Sequence, residues 1–178
     1  MVAVRFTATR EEHIAGFHAC VDAVARERLY LGFVEGPPLA TSQEFVRQVI
    51  AGGGIHTVAL DARGEVIGWC DIVRDPREGF RHSGRLGMGL LPSFRGAGLG
   101  HGLAETAIHA AWERGLERIA LEVFASNTRA ISLYDRLGFR REGVRRRARK
   151  LDGQYDDEVL MALVRDSTRR TEVQPSPA

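Results

Sequence analysis

Leu90-Leu91-Pro92-Ser93-Phe94-Arg95-Gly96-Ala97-Gly98-Leu99-Gly100-His101 is the segment on which the fold turns. An apolar strand closes at Pro92, and a glycine-rich loop follows. The loop runs straight into a helical pattern carried by Leu99, Leu103, Ala107 and Ala111. Glycines let the backbone approach a bulky anion, and the first turn of a helix offers unpaired N–H groups at the positive end of its dipole. Strand, glycine loop and helix together predict a phosphate or pyrophosphate site. A P-loop is excluded, because no Gly-Lys-Ser/Thr triplet exists. The dinucleotide pattern GxGxxG fails as well, since His101 or Leu103 stands where its last glycine belongs. Arg95-x-x-Gly98-x-Gly100 is what remains.

Downstream, the helix stops at Gly115, and Ile119–Phe124 reads as a short strand covered on both faces, as in a parallel pair. Asn127 caps a helix with Ile131, Tyr134 and Leu137 on one stripe, ended by Gly138. Arg140–Arg149 and Asp157–Val164 form a last hairpin, turned at Asp152-Gly153. Upstream, Arg81–Leu91 is the strand entering the loop. Strands Ile55–Leu60 and Glu65–Val73 are joined by the Asp61-Ala62-Arg63-Gly64 turn. A first strand spans Val2–Thr7. Thr9 and Glu12 have capping-box spacing before a helix carrying Ile14, Phe17, Val21 and Val24. Leu29–Ala40 is a loop with Gly36-Pro37-Pro38. Thr41 or Ser42 then caps a second helix, which stops at Gly52-Gly53-Gly54. The order β-α-α-β-β-β-α-β-α-β-β is that of an α/β fold with a mixed sheet and a parallel crossover at its centre. Residues 1–165 make one domain, and the polar, proline-containing 166–178 reads as a disordered tail.

The chain has 178 residues, 44% hydrophobic and 27% charged, the balance of an ordinary globule. A domain of this size buries roughly 70% of its unfolded surface, so it needs no disulfide or metal staple. Cys20 and Cys70 stand alone, and the six His lack metal-site spacing, so no metal is expected. With no run near ~18 apolar residues and no signal-peptide pattern, a cytoplasmic protein away from membranes is expected. A net charge of +2 argues against a dedicated nucleic-acid partner. That charge is uneven: residues 140–150 hold seven Arg/Lys and one Glu, a net +6 that leaves −4 for the remainder.

Arg95-x-x-Gly98-x-Gly100 resembles the acetyl-CoA pyrophosphate loop of the GNAT superfamily of N-acetyltransferases. LEVFASNTRAISLYDRLGFRREG (121–143) resembles the second half of that signature, and DGQYDDEVLMAL (152–163) its final strands. The likeness runs from about Leu86 to Val164; the N-terminal third matches only in its order of elements. The resemblance implies a single, mostly antiparallel sheet of about seven strands with a central parallel β-α-β crossover. It also implies acetyl-CoA as co-substrate, direct attack by a primary amine in a ternary complex, and a homodimer. On this chain the cofactor would be met by Met88 and Leu90 along its pantetheine arm, the Leu90 amide facing the acetyl oxygen. Gly96, Ala97, Gly98, Leu99, Gly100 and His101 would face the pyrophosphate through their backbone. Arg95, which in the family often braces the loop, Asn127 and Tyr134 complete the set. The basic run reads as a solvated hairpin face, with contact to the CoA 3′-phosphate, a nucleic acid or an acidic partner as the alternative.

Acetyl transfer needs a neutral amine. A lysine-type amine is neutral in roughly one molecule in a few thousand at pH 7, an α-amine in about one in ten. Glu122, a carboxylate in an otherwise apolar strand, is the candidate base; a salt bridge to a neighbouring Arg is its alternative role. LEV-x-ASN resembles the ribosomal-protein alanine acetyltransferases, in which this Glu serves as base. Tyr134 is the candidate acid for the leaving thiolate, a transfer uphill by roughly 2 kcal/mol from unperturbed values. The acceptor expected is a small-molecule amine, an amino acid or amine xenobiotic, with Arg28 and Tyr30 as candidate contacts. Two alternatives stand beside it. One is a protein N-terminus; the other is a non-catalytic acyl-CoA-binding regulatory module.

Overall fold

The computed structural model describes residues 3–165. The segment 166–178, read above as a tail, lies outside the described residues. β1 (Arg5–Ala8) leads through a single 3₁₀ turn, Glu11–His13, into α1 (Ile14–Arg26). α2 (Leu39–Ala51), β2 (Ile55–Leu60), β3 (Val66–Arg74) and β4 (Ser83–Leu90) follow. The chain closes with α3 (Leu99–Glu113), β5 (Arg118–Phe124), α4 (Thr128–Arg136), β6 (Arg140–Leu151) and β7 (Gln154–Val164). The strands form one seven-stranded sheet in the order β1-β2-β3-β4-β5-β7-β6. Every neighbouring pair is antiparallel except β4–β5.

Helices cover both faces. α1 and α2 bury Phe17, Val21, Val24 and Val46 against Val58, Leu60 and Trp69. α3 and α4 bury Leu103, Ala107, Ile131 and Tyr134 against Cys70, Ile72, Leu86, Leu121 and Met161 on the other face. Strand alternation sorts the side chains between these two cores. β5 shows it plainly: Ile119, Leu121 and Val123 are buried, while Ala120, Glu122 and Phe124 between them are half-buried. β6, at the sheet edge, carries the basic run on exposed positions except for the half-buried Arg149, and charge there blunts edge-to-edge pairing.

Two helix starts differ from the sequence reading. Thr9 does not cap α1. It turns inward, 7% exposed, with Oγ1 2.8 Å from Nδ1 of His56. The local return bond is instead the Arg10 amide donating to His13 Nδ1 at 3.0 Å. Neither Thr41 nor Ser42 caps α2, which begins at Leu39 because Pro38, at φ −50° and ψ 145°, sets an extended entry. Ser42 is buried inside the helix, its Oγ 3.2 Å from His18 Nδ1.

Candidate active site

β4 and β5 pair only over Ser83–Arg85 and Arg118–Ala120. Beyond that point they diverge, and a cleft of about 430 Å³ opens between their carboxyl ends. The ladder ends at Arg85 although β4 runs on to Leu90 and β5 to Phe124, so both strands continue unpaired along the cleft. On the other side β4 stays paired with β3, as far as Gly68–Leu90, and the Leu91 amide donates to Ile67 at 2.9 Å. Alternation therefore turns the amides of Met88 and Leu90 toward β5, where the ladder has ended.

The glycine loop supplies the far end of the cleft. Gly96 and Gly98 have φ of +85° and +80°, conformations that side chains disfavour, and Gly98 is the residue that starts α3. Among the described residues, no backbone carbonyl accepts from the amides of Gly96, Ala97, Gly98, Leu99 or Gly100. That row of unpaired donors at a helix start fits a pyrophosphate. The row stops one residue short of the sequence reading. The His101 amide is already given to the Gly98 carbonyl at 3.0 Å, because the first turn of α3 closes tightly on its αL residue. His101 still lines the cleft, its ring 3.8 Å from Glu105.

Arg95 is a brace. Its Nε donates to the Leu90 carbonyl at 2.8 Å, and its two terminal nitrogens donate to Glu27 at 2.7 and 2.5 Å. The guanidinium also lies over the Tyr30 ring, 4.9 Å from its centroid. One side chain thus ties the loop to the end of β4 and to the end of α1. Arg129 and Arg136 of α4 bring positive charge to the same cleft.

Met88, Leu90, Asn127 and Tyr134 all line the cleft. Asn127 caps α4, accepting from the Ala130 amide at 3.2 Å. Tyr134 is 7% exposed, and burial pushes its phenol well above the ordinary tyrosine range. The hydroxyl stays protonated, and giving up its proton costs more than the unperturbed value suggests.

Glu122 lies in the cleft wall, but not alone: Arg145 Nη1 is 2.9 Å and Arg85 Nη1 3.7 Å from its carboxylate. The salt bridge weighed as its alternative role is present. Of the candidate acceptor contacts, Tyr30 lies in the same cleft, its ring against the Arg95 guanidinium. Arg28 lies apart, held by Asp152 at 2.7 and 3.1 Å. Three Arg of the basic run are paired likewise, Arg141 with Asp135, Arg145 also with Glu158 and Arg149 with Asp156, while Arg147 lies over the Tyr155 ring.

Glu27, Asp71 and Arg129 escaped the sequence reading. Glu27 sits just past a helix end with no motif around it. Asp71 interrupts an apolar strand as Glu122 does, and that shared signal was available. Arg129 directly follows the Asn127-Thr128 helix start, a position from which a side chain reaches the cleft.

The profile of the acetyltransferase (GNAT) family matches residues 27–139. An uncharacterized N-acetyltransferase, YdgE, of Bacillus subtilis is 36% identical over 85 residues, covering 48% of this chain and 54% of that protein. The [ribosomal protein bS18]-alanine N-acetyltransferase of Escherichia coli is 39% identical over 72 residues, covering 40% of this chain and 49% of its own. The chain thus spans about half the length of these curated relatives. The solved phosphinothricin acetyltransferase of Sinorhizobium meliloti, in complex with acetyl-CoA, superposes with a TM-score of 0.87 at 19% identity. That superposition covers 97% of this chain and 93% of the solved one. No helix among the described residues is long and apolar enough to cross a membrane.

Proposed function

Since the chain belongs to the acetyltransferase (GNAT) family, we propose that it transfers the acetyl group of acetyl-CoA to a primary amine of a small molecule, by direct attack in a ternary complex. The row of unpaired amides from Gly96 to Gly100, at the mouth of a cleft left by two diverging strands, carries this reading. Those amides hold the pyrophosphate, with Arg129 and Arg136 adding charge. The Leu90 amide faces the acetyl oxygen and stabilises the negative charge that forms there, a contact of the oxyanion type. Met88 lines the path of the pantetheine arm. Glu122, set between Arg145 and Arg85, takes a proton from the nitrogen at the cleft wall. Tyr134 returns one to the leaving sulfur. His101 contributes its ring side to the cleft rather than its amide. The two cysteines are buried and free, which suits a reducing cytoplasm. The homodimer implied by the family resemblance is part of the same proposal and is read from the mass in solution.

A protein N-terminus is the second reading, favoured by the 39% identity to the bS18-alanine acetyltransferase. Titration with acetyl-CoA, followed by free-thiol release on a panel of amines and N-terminal peptides, tests both. Binding with turnover of small amines is the expected outcome. Turnover of peptides alone replaces the acceptor, and binding without any turnover points to a regulatory module.

A further inference from the structure

A second cavity, of about 320 Å³, lies under α1 and α2. Phe17, Phe33 and Phe45 wall it, and Trp69, Asp71 and Gly87 form its floor. It shares Leu31, Gly87 and Met88 with the cofactor cleft, so the two spaces meet on β4 just past its last pairing with β5. Asp71 is the single ionisable side chain in the lining. It stands opposite Gly87 in the β3–β4 ladder, and a Cβ at position 87 would lie 3.3 Å from its Oδ2. Asp71 is buried, 7% exposed, and glycine at position 87 leaves no side chain over its carboxylate where the two spaces join.

Asp71 and Glu122 flank Gly87 on one face of the sheet. Arg85–Ala120 is the last β4–β5 pair, and Gly87 and Glu122 each lie two residues beyond it, on opposite sides of the widening gap. The two carboxylates differ in their partners. Glu122 has Arg145 and Arg85. Among the described residues no cation acts on Asp71: burial pushes its pKa up to about 7, and only the Trp69 indole and its own amide pull the other way.

We propose that this cavity takes the acceptor and that Asp71 binds and deprotonates its ammonium group. The acceptor is then a primary amine on an uncharged apolar body, an arylalkylamine or branched alkylamine, with no carboxylate beside the nitrogen. The inference rests on the acetyl-transfer reading above. A carboxylate walled by apolar side chains is half of an ion pair, and an ammonium supplies the other half. An amino acid fares badly here, because its α-carboxylate would come beside Asp71 with no cation to meet it. Arg28, the candidate for that role, is bound to Asp152.

The protons balance. The ammonium gives one to the Asp71 carboxylate, and the neutral nitrogen attacks the thioester carbon. A C–N bond forms and the C–S bond breaks. The nitrogen sheds its second proton to Glu122, while the sulfur leaves as a thiol with the proton of Tyr134. Glu122 returns its proton through solvent to the Tyr134 phenolate, and Asp71 releases the other, so each turnover frees one proton. The titratable groups around the cavity are His56 on β2, across the ladder from Asp71, and His18 on α1, held against Ser42 of α2. Arg85 on β4 and Glu122 on β5 lie beyond Gly87.

The test compares 2-phenylethylamine with L-phenylalanine, the same body with an added carboxylate, using the full chain and acetyl-CoA. We expect kcat/KM for the amine to exceed that for the amino acid by about 100-fold or more, since juxtaposed like charges cost several kcal/mol. Asp71→Asn should raise the amine KM by about tenfold or more, through loss of a charge-assisted contact, with acetyl-CoA binding unchanged. It should also remove the fall of kcat/KM below about pH 7. Equal or better use of L-phenylalanine overturns the proposal, as does an unaltered KM and pH profile in Asp71→Asn. If that variant fails to fold, the substrate ratio in the unaltered protein decides. Acetylation of other amines but neither of these two overturns the acceptor class and leaves acetyl transfer standing. Absence of acetyl-CoA binding overturns both.

Discussion

Glu122, Asp71 and Tyr134 show what a residue owes to its surroundings. Each of the two acids interrupts an apolar strand, yet one meets two guanidiniums and the other meets none. Their substitutions therefore separate kinetically. Glu122→Gln should lower kcat with little change in the amine KM, because in the proposed reaction Glu122 acts on the nitrogen only after binding. Tyr134→Phe should lower kcat by ~10²–10⁴-fold, the usual contribution of a general acid. A loss within about threefold in steady-state assays removes the acid role. The raised pKa of the phenol makes that a demanding test, since a harder proton to give is a smaller advantage over water.

At the scale of elements, β2 and β3 set His56 directly across from Asp71. Burial lowers the His56 pKa from 6.5 to about 4 and raises that of Asp71 from 3.8 to about 7. The two act on stability in opposite senses. Between about pH 4 and 6.5 the unfolded chain holds a proton at position 56 that the folded one refuses, so stability falls as pH drops. Over almost the same window the folded chain holds a proton at position 71 that the unfolded one has lost, so stability rises as pH drops. The slopes nearly cancel. Urea unfolding should give an almost flat profile over this range for the unaltered protein. Asp71→Asn should uncover the His56 slope, of up to about 1.4 kcal/mol per pH unit. A flat profile in that variant would show that His56 is not held neutral. The two loop glycines at positive φ and the Arg95–Glu27 pair belong to this scale too: the first were legible as glycines in a loop, the second was not. A Glu just past a helix end is an ordinary residue until Arg95, 68 positions away, folds onto it.

For the whole molecule, the divergence of β4 from β5 is the decisive feature, and hydrogen exchange reads it directly. The Met88 and Leu90 amides should exchange readily in the free protein and become protected on adding acetyl-CoA, while Ser83–Arg85 stay protected throughout. Equal protection with and without ligand would mean that the cleft is not where acetyl-CoA binds. The order of elements, the parallel crossover and the anion loop were all legible by eye in the chain. Periodicity, glycine and proline act over a few residues, so the physics that sets them is written locally. Element starts at Thr9, Thr41 and Ser42 were misread because long-range contacts to His56 and His18 claimed two of those side chains and Pro38 set the entry of α2. By itself, then, the sequence determined the α/β architecture, the glycine loop at the start of α3 and several of the residues along the cleft. Only the tertiary structure decided which carboxylate has a counter-ion and which faces an apolar cavity without one. Charge pairing and desolvation depend on neighbours brought together across β3, β4 and β5, and spacing along the chain does not encode them.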